Sequence, residues 1–387
     1  MSKKYTLGLD RPAPGILERL GAKAFRSFAS RRMLHRPTPS DDVLVKELRV
    51  ITWIGAFLAF AAGSLTTVPA VYLQVIHDGD PFAERMFWMF VPTIVMTGVE
   101  FALLFYTTVW CVVRVAEETG HGPDELDRPL FLGSDSLPNL LSRAALEIPD
   151  PVYQFLGIDP TKLVPQKTLL IIGIIYKIKV MATNALVKLV LMRFLGNTVM
   201  RMSVAYVAVV ITGIWNSIVL WRVLRETRLR LSGHMLVRFL TTEIITPERI
   251  HSMPPLAREA TVRAVANAVV LTQNYHPNML LLLVRLCEIT GIDSPGDYDE
   301  WDRFVEILGQ LEPEDREFQL DLLSIAAAFD GKLSKFERNY LPQAFGPQTD
   351  WYMNRIRVLS RLMVQGRIRA AISHCFEDFN TDVTFTR

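Results

Sequence analysis

Cysteine is scarce in this chain: three residues in 387, at positions 111, 287 and 375. They lie far apart and form no C-x-x-C pair. That spacing excludes a disulfide framework and a zinc-binding knuckle, and points to reduced thiols. No Gly-rich phosphate cradle, P-loop or nucleophile–base constellation is present, so no catalytic residue, cofactor site or metal site is assigned and the chain reads as a non-enzyme. No run of alternating Val, Ile and Thr marks a strand. Excess charge of either sign is missing too, with 42 Lys and Arg against 40 Asp and Glu. No basic–aromatic strip runs along the second half, which argues against a nucleic-acid partner.

The most informative absence is local. Between Val50 and Ile76 there is no charged residue, a run longer than the ~20 apolar residues needed to cross a bilayer. It starts too deep in the chain to be a signal peptide. Three further runs follow. Trp88 to Val113 is apolar except for Glu100. Thr168 to Leu195 carries Lys177, Lys179, Lys188 and Arg193. Val199 to Leu220 carries Arg201 and Asn216. The reading is four transmembrane helices in a lipid bilayer.

Charge distribution sets the expected orientation. Eleven Lys and Arg precede the first run. Arg114, Arg128, Arg143, Lys162 and Lys167 follow the second, and Arg222, Arg225, Arg228 and Arg230 follow the fourth. The loop His77 to Phe87 holds only Arg85 against Asp78, Asp80 and Glu84. Cytoplasmic flanks are the Lys/Arg-rich ones, so both termini are placed in the cytoplasm of a multi-pass protein. Arg193 and Arg201 sit on the disfavoured side. The third and fourth runs therefore either span fully or enter as an oblique hairpin.

Five segments follow: a basic N-terminal segment at 1–49, spans at 50–116, a Pro-, Gly- and Asp-rich cytoplasmic connector at 117–167, spans at 168–224, and a helical cytoplasmic domain at 225–387. Within the first, Gly15 to Leu34 reads as an amphipathic helix. Leu17, Leu20, Ala24 and Phe28 form one face; Arg19, Lys23 and Arg26 form the other. It either lies among anionic lipid headgroups or packs on the protein itself. The connector holds His121, Asp124, Glu125 and Asp127 close together, read as solvated residues and not as metal ligands, and a short helix at Leu137 to Leu146. Helices are expected at Leu256–Thr272, Pro277–Thr290, Tyr298–Leu311, Glu314–Phe329, Lys335–Phe345 and Trp351–Gln365, with a last one ending near Phe376. The Pro277 helix opens on proline and closes at Gly291, the usual start and stop signals.

Two constellations stand out. In the apolar part, Gly173, Lys177, Asn184 and Lys188 fall on one stripe of a helix. Together with Glu100 and Asn216 they form an intramembrane polar cluster. Intramembrane charges demand partners or water. The cluster either pairs across helices or lines a polar path for ions or protons, which would make the chain a channel or transporter regulated by its cytoplasmic domain. In the tail, the Leu/Ala-rich stretch from Leu322 stops at Asp330-Gly331 and helix resumes at Ser334. Gly331 suits a left-handed helix stop. Ser334 and Glu337 fit a capping box, with Leu333 as its staple. A calcium loop is excluded, because Ala326 and Ala328 would occupy two positions that must supply oxygen. The motif reads as structural.

The stretch Glu314 to Leu341 resembles the central helix–turn–helix of the TerB-like domain, named from tellurite-resistance proteins. Phe329 stands where that family usually has Ala. The whole arrangement is similar to bacterial multi-span membrane proteins with a TerB-like tail, in which Trp215-Asn216 followed by Arg222, Glu226 and Arg228 is typical. The resemblance implies an all-α chain in the bacterial inner membrane, its TerB-like helical bundle serving as a protein-interaction or stress-related scaffold for an unidentified cytoplasmic or membrane protein. Self-association is left open.

Overall fold

The structure, a computed structural model, describes residues 15–32, 39–77, 79–122, 137–145, 155–163 and 198–376. The fold is all-α. Among the described residues there is no strand, only an isolated bridge between Phe155 and Ile158. The chain divides into two units. One comprises Met1–Leu48, Val115–Leu163 and Arg225–Arg387, and the other Arg49–Arg114 and Val164–Leu224.

Three long helices contribute residues to both units: α2 (Asp41–Ile76), α3 (Phe82–Glu118) and α5 (Thr198–Phe239). Of these, α2 and α3 are long and apolar enough to cross a membrane. The run Val199–Leu220 lies inside α5. The third expected run, Thr168–Leu195, lies outside the described residues.

In the apolar unit, α2 and α5 approach closely through small residues, as helices do when glycine lets their backbones meet. A Cβ at Gly63 would lie 3.2 Å from the Thr212 carbonyl carbon, and one at Gly213 would lie 2.8 Å from the Phe60 ring. Ser217 Oγ donates to the Ala56 carbonyl at 2.8 Å, a hydrogen bond between the two helices. Toward α3, a Cβ at Gly55 would lie 2.7 Å from Cys111 Sγ. Large side chains point away from these contacts. Trp53, Phe57, Ile94 and Phe101 are all exposed.

The other unit is helical and packs most of its helices around a common apolar core: α6 (Pro247–Ser252), α7 (Pro255–Thr272), α8 (Pro277–Thr290), α9 (Trp301–Gln310), α10 (Pro313–Ala328), α11 (Lys335–Phe345), α12 (Thr349–Gln365) and α13 (Ile368–Phe376). The bounds of α8 and α11 coincide with those expected, those of α7, α9, α10 and α12 differ by up to three residues, α13 ends at Phe376 as expected, and α6 has no counterpart in the sequence reading. Proline opens α6, α7, α8 and α10, where its missing N–H is harmless. Helices α7 and α10 are buried around most of their circumference, from Ala260 to Leu271 and from Phe318 to Ala328. A helix apolar on all sides belongs in a core. Gln319 Nε2 on α10 donates to the Ala257 carbonyl of α7 at 3.1 Å, a hydrogen bond between the two helices.

Three features depart from expectation. First, α5 continues without a break through the arginines read as a flank, and its end is core: Thr227, Leu229, Leu231 and Leu236 are fully buried or nearly so. Second, part of the connector is core as well. Phe155 and Ile158 are buried, and Tyr275 donates to the Ile158 carbonyl at 2.6 Å. Third, α1 (Ile16–Arg32) packs on α4 (Leu137–Ala145) through a shifted face. Ala22, Phe25 and Ala29 are buried, whereas Leu20 is 56% exposed. The cause is Glu18, which turns inward to pair with the buried Arg143 at 3.6 Å. A rule that sends every charge outward misassigns this helix.

The start of α2 also belongs to the bundle unit. Leu44 and Leu48 are fully buried, and Leu48 sits against Gly366. The Asp41 carboxylate accepts from the backbone N–H of Arg369 at 3.1 Å and of Ala370 at 2.8 Å. One helix thereby caps the first turn of another.

Candidate functional site

Two clusters in the described residues carry polar chemistry, one in each unit. In the apolar unit, Asn216 of α5 is buried and Glu100 of α3 is half-buried. Asn216 Nδ2 donates to Glu100 Oε1 at 2.6 Å. A side chain at Gly63 would occupy the space of the Asn216 amide. The glycine therefore makes room for the asparagine, and the asparagine supplies a donor to the one carboxylate in this run. The other members of the expected cluster, Lys177, Asn184 and Lys188, lie outside the described residues.

In the bundle unit, the turn between α10 and α11 is built as its chemistry dictates. Gly331 has φ +68°, and its N–H donates to the Ala328 carbonyl at 3.2 Å. Asp330 Oδ1 accepts from Lys332 N at 2.9 Å. Both halves of the capping box form. Glu337 N donates to Ser334 Oγ at 3.0 Å, and Ser334 N donates to Glu337 Oε2 at 2.6 Å. Ser334 Oγ also donates to the Leu271 carbonyl of α7 at 2.9 Å, tying the cap to the core.

The turn is clasped by the end of α5, a contact without a sequence signal. Arg225 donates to the Gly331 carbonyl at 3.3 Å, and a Cβ at Gly331 would lie 2.9 Å from the Leu229 side chain. One turn on, Asn278 of α8 donates to the Leu229 carbonyl at 3.2 Å, in space left open by Gly233. Glu226 lies between. Its carboxylate accepts from Arg230 Nε at 2.8 Å and stands 3.7 Å from His276 Nε2. Burial opposes ionisation of Glu226, but His276 and Arg230 outweigh it and hold the carboxyl well below its usual range. At Glu337 the Ser334 hydrogen bonds and Arg338 favour the charged form but do not outweigh burial. Burial is the main cause, with Asp330 second, that pushes this carboxyl up to about 8. Asp330 is also raised, again chiefly by burial.

Further buried polar pairs escape sequence reasoning. His121 is 1% exposed, which corrects its reading as a solvated loop residue; Asp124, Glu125 and Asp127 lie outside the described residues. His121 Nε2 lies 3.2 Å from His234 Nδ1, and His121 Nδ1 lies 3.0 Å from Thr119 Oγ1. Burial lowers both imidazoles, His234 to about 4, with Arg238 adding to the effect on each. Asp321 of α10 and Arg355 of α12 form an ion pair with both side chains buried. Among the described residues no group of three or more His, Cys, Asp or Glu could hold a metal ion.

Comparison of the chain with protein-family models, with curated proteins and with solved structures finds no match.

Proposed function

We propose that this chain is an integral protein of the bacterial inner membrane, multi-pass with both termini cytoplasmic, whose helical bundle serves as a protein-interaction scaffold. The carrying observation is α3. Among the described residues, no residue of its most apolar stretch is buried, and Ile94 is 68% exposed. At about 25 cal/mol per Å² of apolar surface, such a helix favours hydrocarbon over water strongly. The basic flanks orient it.

The scaffold reading of the bundle rests on two supports. The Asp330–Glu337 turn forms the capping box on which the TerB-like resemblance rests, and three buried polar groups of this unit join helices: Asp321 on Arg355, Asn278 on α5, Gln319 on α7. The Glu100–Asn216 hydrogen bond supports pairing over conduction, since a carboxylate already bound to an amide serves the helix contact.

Cell fractionation and protease protection test this. The full chain stays in the membrane pellet after an alkaline wash, and a C-terminal tag is digested only in inside-out vesicles. A soluble chain, or a tag cut from outside intact cells, would overturn the membrane reading. Ion flux in vesicles that disappears in Glu100→Ala, with expression intact, would overturn the scaffold reading.

A further inference from the structure

Glu337 is fully buried in the first turn of α11, three residues after the Ser334 cap that ends the α10–α11 turn. Its Oε2 accepts the Ser334 N–H, and its Oε1 has no hydrogen-bond partner among the described residues. A carboxylate so placed would leave one charged oxygen without water or donor, a costly arrangement. A carboxylic acid meets the same geometry at lower cost, because it carries no net charge and still lets Oε2 accept.

The surroundings favour the neutral form. From the turn, Asp330 presents a second carboxyl and Lys332 an exposed ammonium. From α5 come Arg225, spent on the Gly331 carbonyl, and Glu226, paired with Arg230. From α8 comes His276, beside Glu226. From α11 itself comes the exposed Arg338. Helices α7 and α12 meet the turn through the uncharged Leu271 carbonyl and Val364. The cations about the turn are thus engaged elsewhere or exposed, and the charge that opposes ionisation of Glu337 is that of Asp330.

We propose that Glu337 is a proton-operated latch: protonated, it holds the 330–337 turn closed on the end of α5, and on losing that proton to solvent it releases the turn. The chemistry is one O–H bond broken and one proton delivered to water. Ionisation puts a charge on the buried Glu337 against that of Asp330. The arrangement then relaxes by exposing Glu337, which opens the capping box and loosens the Arg225 and Leu229 contacts with Gly331. The burial-driven rise to about 8 places the transition at mildly alkaline pH. The device does not depend on the membrane reading.

Hydrogen exchange of the full chain in detergent, corrected for intrinsic exchange and followed from about pH 6 to about pH 9.5, reads the latch directly. Amides of 330–337 and 225–233 lose protection by about tenfold or more relative to those of α10 as the pH rises through the transition. In Glu337→Gln the amide carbonyl still accepts from Ser334, no proton can leave, and protection stays flat. In Asp330→Asn the midpoint moves to lower pH, because the neighbouring charge is gone. The infrared carbonyl stretch of a protonated carboxylic acid is present in the unaltered protein at neutral pH and bleaches along the same curve. Protection independent of pH, an equal fall in Glu337→Gln, or a missing acid band would overturn the proposal. If Glu337→Gln does not fold, the infrared titration and the Asp330→Asn midpoint decide it.

Discussion

Asn216 donates its side-chain amide to the Glu100 carboxylate at 2.6 Å, across 116 residues of chain. In an apolar setting each group would be costly alone, and together they form one charge-assisted hydrogen bond. Removing one partner should therefore hurt more than removing both. Asn216→Leu is expected to cost about 1–3 kcal/mol in thermal unfolding followed in detergent. Glu100→Gln should stay close to the unaltered protein. The double variant Glu100→Leu/Asn216→Leu should recover much of the loss. Additive losses would show that the two groups act independently.

Gly331 and Gly291 are both left-handed, at φ +68° and +76°, but differ in their surroundings. A Cβ at Gly291 meets nothing within 4 Å, whereas one at Gly331 crowds Leu229. Gly291→Ala should cost about 1 kcal/mol, the backbone strain alone. Gly331→Ala should cost about 2–3 kcal/mol, strain plus the clash. Chemical denaturation of the two variants side by side measures the difference, and equal losses would remove the contact with α5 from the account.

The buried pair Asp321–Arg355 joins α10 to α12. Arg355→Met leaves a buried carboxylate without its cation and should destabilise the bundle by about 3–5 kcal/mol. Asp321→Leu combined with Arg355→Met should be far less harmful, since an apolar pair of similar volume needs no desolvation. A double-mutant cycle in denaturant resolves the coupling.

The imidazole pair His121–His234 sets the acid limit. Burial, first, and then the charge of Arg238 hold both below the usual histidine value, His234 at about 4. A group with a depressed folded pKa binds its proton more readily in the unfolded chain, so stability is lost as pH falls. The loss begins near the unfolded value of 6.5 and continues to about 4 for His234. It should amount to about 3 kcal/mol for that residue. His234→Asn should flatten this limb while leaving the alkaline behaviour of Glu337 untouched, as pH-dependent melting would show.

Much of the bundle is legible in the chain because its signals are local. Pro277 and Gly291 bracket α8. Ser334 and Glu337 cap α11, and Gly331 closes the preceding helix, all within a few residues of one another. The polar cluster in the apolar unit was legible only as candidates. Glu100 and Asn216 were both conspicuous as polar residues in apolar runs, but nothing in either run says that they bond to each other. Misreadings arose where a charge or a polar group is buried. Glu18 turns inward because Arg143 awaits it, and that rotates the buried face of α1. His121 looked like part of a solvated acidic loop, yet His234, 113 residues away, and Thr119 give it a buried place.

By itself the sequence determined the all-helical class, the two long apolar helices and the local form of the Asp330–Glu337 turn, because periodicity, caps and charge-free runs act over a few residues. Tertiary structure alone decided that α5 runs on past its arginines to clasp that turn, that Asn216 meets Glu100, and which buried acids are matched by a cation and which are not. Those outcomes depend on distant groups sharing a space without water, where the cost of an unmatched charge is set by neighbours that no local pattern names.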